Sequence, residues 1–484
     1  MSKSIIAIQF LPLIGALLVL LLPRKKSDLA AVAAMAFALA QAALALKYIS
    51  CGCSLTWPLA FGVTLSFALD KLTSVTIAVI SVATFVASLY SFSRKQDPER
   101  SPSFYSLMLL VLFGTVGVAL ARDLIQFYVF WEAMLIPAWV LVVYWNEEPA
   151  RAKYTGLKFF IITHIGAVLM LSSILWIYSL TGTTNMTALA SLLPTLPVNT
   201  VAIMAILFLM GFIVKLAIFP FHTWLPDAYT TSVMPVTLIL VGVMTNIGVY
   251  AMARFVPFFP VASMSILSKP LMLAALVTMF YGGFMALSER NIKKIVAYSS
   301  ISQMGYVLLA YATLVPSGMA ASVFNIINQA ATKLTLFICV GVVVEHSSTY
   351  FIDEMGGWAK KLPLAAIASV FAALSLVGAP PLVGFWPELL TFSAAYSTGS
   401  YYIASLGLIA TVLSAAYALR LVRKVFFGPL SGKHTTAIVN NGWNSSLAMA
   451  GGILTLVILG VYPGPVFGVV KQAISSLGYF LGGQ

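Results

Sequence analysis

Apolar runs of about 20 residues recur along almost the whole chain, each long enough to cross ~30 Å of hydrocarbon as a helix. Strands of a membrane barrel would instead show short alternating segments. The pattern predicts an all-α polytopic membrane protein with about 14 transmembrane helices. Their approximate limits are 4–23, 29–49, 71–92, 104–121, 123–145, 157–180, 199–222, 232–256, 269–287, 294–313, 318–345, 363–399, 402–424 and 446–470. Two of these spans are irregular. The seventh meets Pro220 soon after Lys215 and runs on to Pro226, and the twelfth contains Gly378, Pro380, Pro381, Gly384 and Pro387. Such residues free backbone groups, which a membrane tolerates only where protein or water satisfies them. The apolar N-terminus, Ile5 to Pro23, lacks a small-residue cleavage site and is expected to be a retained helix.

The polar positions between the runs are not random. Arg24, Lys25 and Lys26 follow the first span, Arg94, Lys95 and Arg100 the third, and Arg151 and Lys153 the fifth. Arg290, Lys293 and Lys294 follow the ninth, Lys360 and Lys361 the eleventh, and Arg423, Lys424 and Lys433 the thirteenth. All these odd-numbered connections would lie on one side, and the even ones carry almost no Lys or Arg. The positive-inside rule makes the basic side cytoplasmic and puts both termini outside.

The two broken spans imply an internal repeat. A five-helix unit would occupy 101–256 and a second 257–430, after N-terminal helices in 1–100 and before a last helix in 431–484. In each unit the fourth member is the interrupted one. An odd number of helices makes consecutive units enter from opposite faces, the inverted-repeat arrangement of many transporters.

Composition agrees with a membrane solvent: 61% of residues are hydrophobic and 8% charged. The formal net charge of +13 comes from dispersed loop residues, not from a stripe that would bind nucleic acid. With three cysteines, Cys51, Cys53 and Cys339, no metal or cluster motif is available.

Against this background Glu132, Lys215, Lys333 and Glu388 stand out, because each lies inside a long apolar stretch. A charge at that depth costs roughly 2.5–3.5 kcal/mol on insertion scales, so such groups face a partner or a wet cavity. Two acids and two lysines so placed point to proton exchange. A structural ion pair for Glu132 and a helix cap for Glu388 are the plain alternatives. Burial and a carboxylate ~4 Å away change a lysine's proton affinity in opposite senses by comparable amounts. Movement of Glu132 relative to Lys215 can therefore toggle protonation. His164, Asn246, Asn325, Asn328 and Gln329 lie within neighbouring spans and can extend a route, although a membrane histidine is often only a helix–helix hydrogen-bonding group. Lys158 is placed to snorkel, and His222 and Asp227 are expected to be structural.

Three segments resemble one family. They are Phe130-Trp131-Glu132; Val214-Lys215 followed by Pro220-Phe221-His222-Thr223-Trp224-Leu225-Pro226-Asp227-Ala228; and Asn291-Ile292-Lys293-Lys294-Ile295-Val296-Ala297-Tyr298-Ser299-Ser300 followed by Gln303-Met304-Gly305. Together they look like the signatures of the antiporter-like subunits of respiratory complex I, the membrane-bound hydrogenases and the multisubunit sodium/proton antiporters. The M-type, or chain-4-type, subunit is most similar, over roughly residues 60–430. The resemblance implies that Glu132 and Lys215 are the family's Glu–Lys pair, Lys333 its central lysine and Glu388 its terminal acid. Asn246 stands where many relatives carry a lysine, and Gln329 where many carry a histidine.

The implied function is proton translocation in the membrane arm of an NADH-dehydrogenase-like complex. No redox cofactor is expected in this chain, since it has no nucleotide loop or haem motif. Iron–sulfur clusters and a quinone would belong to partner subunits. Expected partners are the other membrane-arm subunits, homologous antiporter-like chains included, and the bilayer of a prokaryotic plasma membrane or an equivalent energy-transducing membrane. A cation/proton antiporter subunit, a membrane-bound hydrogenase subunit and a structural subunit that has lost transport remain as alternatives.

Overall fold

The computed structural model describes residues 2–23, 27–58, 64–92, 101–347, 349–429 and 442–476. Of the basic loop residues above, Arg24, Lys25, Lys26, Arg94, Lys95, Arg100 and Lys433 lie outside the described residues.

The expected all-α membrane architecture is found. Among the described residues twelve helices are long and apolar enough to cross a membrane. The stretches read as the first and twelfth spans contain shorter apolar helices, 4–20 and 363–376. Lipid-facing rows are visible in the pattern of exposure. Leu157, Ile161, Ile165 and Val168 recur at helical spacing along Pro149–Thr181 and are all exposed, the reverse of a water-soluble helix.

Local chemistry sets the helix ends. Asp123 accepts from Ile125 N at 2.9 Å and Gln126 N at 3.2 Å, starting Leu124–Tyr144. Asn291 does the same for Lys293 and Lys294 at the start of Ile292–Ala312. Proline opens Pro149–Thr181, Pro316–His346 and Pro363–Leu376, where its missing N–H costs nothing.

Both irregular spans are broken. The seventh is a helix, Val198–Lys215, a non-helical turn and a short helix, Trp224–Thr231. The twelfth is Pro363–Leu376, a turn and Phe385–Ser397. The stretch read as a fourteenth span, 446–470, is two helices, Trp443–Val461 and Gly464–Ser476. The break follows from Pro463, which pushes Tyr462 out of helical geometry, to φ −124° and ψ 70°. The apolar periodicity did not reveal the antiparallel hairpin Cys53–Pro58/Thr64–Leu69. Cys51 and Cys53 lie side by side at its start, with Cα atoms 5.1 Å apart. Its second strand is pinned to the ends of neighbouring helices: Arg122 N donates to Ser66 O at 2.8 Å, and Ser66 N to Gln126 Oε1 at 2.7 Å.

At the centre runs the eighth span, Met234–Phe255, enclosed by protein over its whole apolar length. It contains a π-helical turn, Leu240–Met244, a local widening often found at functional positions. Pro316–His346 packs against this central helix, against Lys71–Phe92 and against Ile292–Ala312.

Close backbone approach holds the Glu132 helix in place. A Cβ built on Gly114 would lie 2.7 Å from Met134 N. Gly114→Ala should therefore force Ser101–Leu120 and Leu124–Tyr144 apart, at a cost of about 1–3 kcal/mol. Thermal unfolding in detergent should show a lower Tm than the unaltered chain; an unchanged Tm would contradict this packing.

Candidate functional site

Lys215 is the last residue of its half-helix. The negative end of the helix dipole favours an ammonium there. Two residues on, Ala217 takes φ +55°, a conformation rare for a residue with a Cβ. The turn is fixed from outside, with Trp224 Nε1 donating to Val214 O at 3.0 Å. Lys215 is 2% exposed. Its Nζ lies 5.6 Å from the centre of the Trp131 ring and 6.0 Å from that of Phe159. Among the described residues no ion pair joins it to an acid.

Glu132 sits in mid-helix, beside Trp131. Its Oε2 is 2.9 Å from His164 Nδ1, and its Oε1 is buried without a hydrogen-bond partner. His164 stacks on Phe160 at 5.5 Å between ring centres. The carboxylate expected beside Lys215 is thus engaged by His164, with the neighbouring indole over the ammonium.

Asn246 follows the π turn. It is fully buried, donating from Nδ2 to Gly242 O at 2.9 Å and leaving Oδ1 unpartnered. A Cβ on Gly242 would lie 2.9 Å from Leu334 Cδ2, so the central helix touches Pro316–His346 one residue from Lys333.

Lys333 is 2% exposed and donates from Nζ to Ser299 Oγ at 2.8 Å. One turn away runs a side-chain relay. Asn328 Nδ2 donates to Asn325 Oδ1 at 3.2 Å, Thr332 Oγ1 to Asn328 Oδ1 at 3.0 Å, and Thr332 and Ser375 hydroxyls meet at 2.9 Å. Ser375 Oγ accepts from Gly384 N at 3.2 Å, on the far side of the second break. Gln329 Nε2 donates to Gln303 Oε1 at 3.3 Å, and its own Oε1 is buried without a partner.

Glu388 lies in the first turn of Phe385–Ser397, where the positive end of the helix dipole favours a carboxylate. Gly378 (φ +71°) makes room for it, since a Cβ there would meet Glu388 Oε2 at 2.2 Å. The two breaks therefore place a lysine and a glutamate at opposite dipole ends. Unpartnered polar atoms on Glu132, Asn246 and Gln329 mark the space between them as polar, the setting in which buried water bridges groups.

Ion pairs join the helix ends. Lys158, placed to snorkel on sequence grounds, binds Asp227 Oδ2 at 2.6 Å. Lys293 binds Glu147 Oε2 at 2.5 Å, and Tyr350 OH donates to the same oxygen at 3.0 Å. At the opposite end Asp70 Oδ2 holds two guanidiniums, Arg122 at 2.8 Å and Arg254 at 2.6 Å. Burial disfavours the Asp70 charge, yet Arg254 and Arg122 outweigh it and hold the carboxyl well below the usual carboxylate range. The cluster was not among the expected sites, although Arg122 stands alone in the short connection after the fourth span and Arg254 lies near the end of the eighth. Among the described residues no group of three or more His, Cys, Asp or Glu could hold a metal ion.

A multi-pass helical protein with charges at the tips of broken helices is an ion-translocating type of architecture. Residues 121–414 match the transmembrane family described as NADH:quinone oxidoreductase/Mrp antiporter, and the chain belongs to this family. It is similar to NADH-quinone oxidoreductase subunit M of Rhodobacter capsulatus, 30% identical over 83% of this chain and 80% of that one. Among solved structures it resembles a chain of the archaeal membrane-bound sulfane sulfur reductase, 28% identical over 99% of this chain and 98% of that one, with a TM-score of 0.89. A chain of respiratory complex I from Thermus thermophilus is 26% identical over 99% of this chain and 100% of that one, with a TM-score of 0.86.

The folded Asp70 binds its proton less readily than the unfolded one, so its pairing stabilises the fold above about pH 4 and loses that contribution as pH falls. Asp70→Asn should lower Tm at neutral pH. The gap from the unaltered protein should begin to narrow as pH falls below about 4 and go on narrowing below about pH 3; a gap constant with pH would argue against a charged Asp70.

Proposed function

We propose that this chain is a proton-translocating membrane-arm subunit of an NADH-dehydrogenase-like respiratory oxidoreductase. Partner subunits carry out the electron transfer, with their iron–sulfur clusters and a quinone. This chain converts the energy released there into proton movement through Glu132, Lys215, Lys333 and Glu388. His164, Asn246 and Gln329 support the route. The observation that carries this reading is the pair of broken helices, each with one ionisable residue at the dipole end that suits its charge. Similarity to subunit M of NADH-quinone oxidoreductase supports the assignment to such a complex.

The chemistry follows from exchange of partners. In the state described above, Glu132 is held by His164, and Lys215 has aromatic faces and feels the Glu132 charge from beyond ion-pair distance. A shift of Glu132 towards Lys215 favours the ammonium form there, and return to His164 favours release of the proton. At ~4 Å and an effective dielectric of 20 the two charges attract by about 4 kcal/mol, enough to change proton occupancy by roughly three orders of magnitude. Asn246 and Gln329 cannot titrate, so between Lys215 and Lys333 they act by holding water. Lys333 and the Asn325–Thr332–Ser375 relay carry the proton towards Glu388. The two five-helix units, 101–256 and 257–430, are half-channels of opposite orientation within a bundle of fourteen crossings. The basic face is cytoplasmic and the termini lie outside, in a prokaryotic plasma membrane.

The second reading is a subunit of a cation/proton antiporter, favoured by the family's span across both classes. The two separate in vesicles that contain the purified native complex. On the first reading an electron donor drives proton uptake, and Lys215→Ala reduces it at least about tenfold with assembly intact. Uptake driven by a sodium gradient alone selects the antiporter, and full pumping by Lys215→Ala removes both.

A further inference from the structure

The lipid-facing side of the bundle is not filled evenly. Lys71–Phe92, Pro316–His346 and Trp443–Val461 pack against one another and enclose a groove of about 490 Å³. Its rims include Val82 and Leu447, 45% and 54% exposed, and its floor the buried Ala83 and Leu334. All four residues lie within membrane spans. The lining is apolar but for two threonines, and neither hydroxyl proton is free. Thr335 Oγ1 donates to Ala331 O at 2.7 Å and Thr455 Oγ1 to Gly451 O at 2.8 Å. An enclosed water needs several polar partners, and this lining does not supply them.

Shape decides the occupant. Ala78 to Leu89, the stretch of Lys71–Phe92 that lines the groove, extends about 16 Å at the helical rise. A volume of about 490 Å³ over that length gives a mean cross-section on the order of 30 Å². A helix about 10 Å across needs roughly 80 Å². The opening, between helices with axes about 10 Å apart, offers on the order of 160 Å², against about 800 Å² on each side of a standard protein interface. A methylene chain in contact with its neighbours at about 4.5 Å occupies roughly 20 Å² and fits once. We propose that the groove holds one hydrocarbon chain of a membrane lipid. Trp443, 64% exposed at the start of its helix, marks headgroup level one turn before Leu447. A lipid headed there lays its chain along the groove towards Leu334. The floor is shared with the centre of the bundle. A Cβ on Gly242 would lie 2.8 Å from Ala83 Cβ and 2.9 Å from Leu334 Cδ2, so two groove residues press on the π turn beside Lys333. The bound chain packs behind that contact and fills the space into which both side chains would otherwise relax.

The test uses the whole native complex in phosphatidylethanolamine–phosphatidylglycerol vesicles, with a trace of phospholipid carrying a diazirine midway along one chain. On illumination the diazirine loses dinitrogen and the carbene inserts into a neighbouring C–H bond, which peptide mass spectrometry locates. Labelling of Ala331 or Leu334, inside the groove, is expected. Gly451 supplies the block: it lines the groove, and a Cβ there meets nothing within 4 Å. Gly451→Leu therefore puts a side chain into the space without displacing its walls. It should reduce labelling inside the groove severalfold and leave labelling of Val412, exposed on Tyr401–Phe426, unchanged. Labelling confined to Val82 and Leu447 in the unaltered complex overturns the proposal, and so does labelling inside the groove that persists undiminished in Gly451→Leu. A Gly451→Leu chain that inserts in the membrane but no longer joins the complex makes the groove the seat of a partner's segment, and overturns it too. None of these readouts depends on proton movement, so the site stands or falls apart from the proposed function.

Discussion

A charge inside a bilayer must be matched where it stands, since no bulk water is present to solvate it. The fold answers this requirement with backbone. Breaking a helix exposes a row of carbonyls at one tip or N–H groups at the next, and these are fixed partial charges. Lys215 occupies a carbonyl tip and Glu388 an amide tip. Neither tip is free to relax. The first break is held by Trp224 bonding to Val214, the second by Ser375 bonding to Gly384. The same breaks would be ruinous on the lipid-facing side, where freed backbone groups find no partner. They are tolerable because part of each turn is held by protein, with Leu216–Ile218 buried in the first and Leu382–Gly384 in the second.

The enclosed central helix follows from the same constraint. A polar residue such as Asn246 can sit at full burial only if other protein surrounds it, and Met234–Phe255 meets that condition. Its π turn turns the Gly242 carbonyl towards the Asn246 amide and brings Gly242 against Leu334. A single glycine thus links the first set of polar groups to the Lys333 helix. At the bundle's two ends ion pairs do the tying: Lys293 with Glu147 on one, Asp70 with two arginines on the other. The first of these joins a residue after the fifth span to one at the start of the tenth, so the two proposed units are fastened across their boundary.

Much of this was legible in the chain, and for identifiable reasons. Helices in lipid announce themselves by length and apolarity, because nothing else can span. Breaks were legible as clustered Pro and Gly, and the four deep ionisable residues by their isolation. What pattern could not supply was partnership. Glu132 acts electrostatically on Lys215, but its hydrogen-bond partner is His164, a neighbour from another helix at no fixed sequence spacing. Ser299 under Lys333 and Ser375 beside Thr332 were hidden likewise, since serine is common in such helices and only its position distinguishes it. The hairpin was lost between two apolar runs, in a stretch too short to compete with helical periodicity.

The arginines around Asp70 show how a rule can conceal its own exceptions. Counting Lys and Arg by loop treats a residue as a topological marker, exposed and interchangeable. Arg122 and Arg254 are neither: both are largely buried, both bind one carboxylate, and Arg122 also bonds the end of a helix. A basic residue in a connection that the charge rule leaves empty, like Arg122, or within a span, like Arg254, is not accounted for by that rule. Its presence needs a local cause, and the local cause is an acid. Asp70, at the start of the third span, is that acid, and it stands at the end of the polar face of the protein-enclosed central helix. The charge rule therefore also points, through its exceptions, to the residues that tie the end of the central helix to the starts and ends of its neighbours.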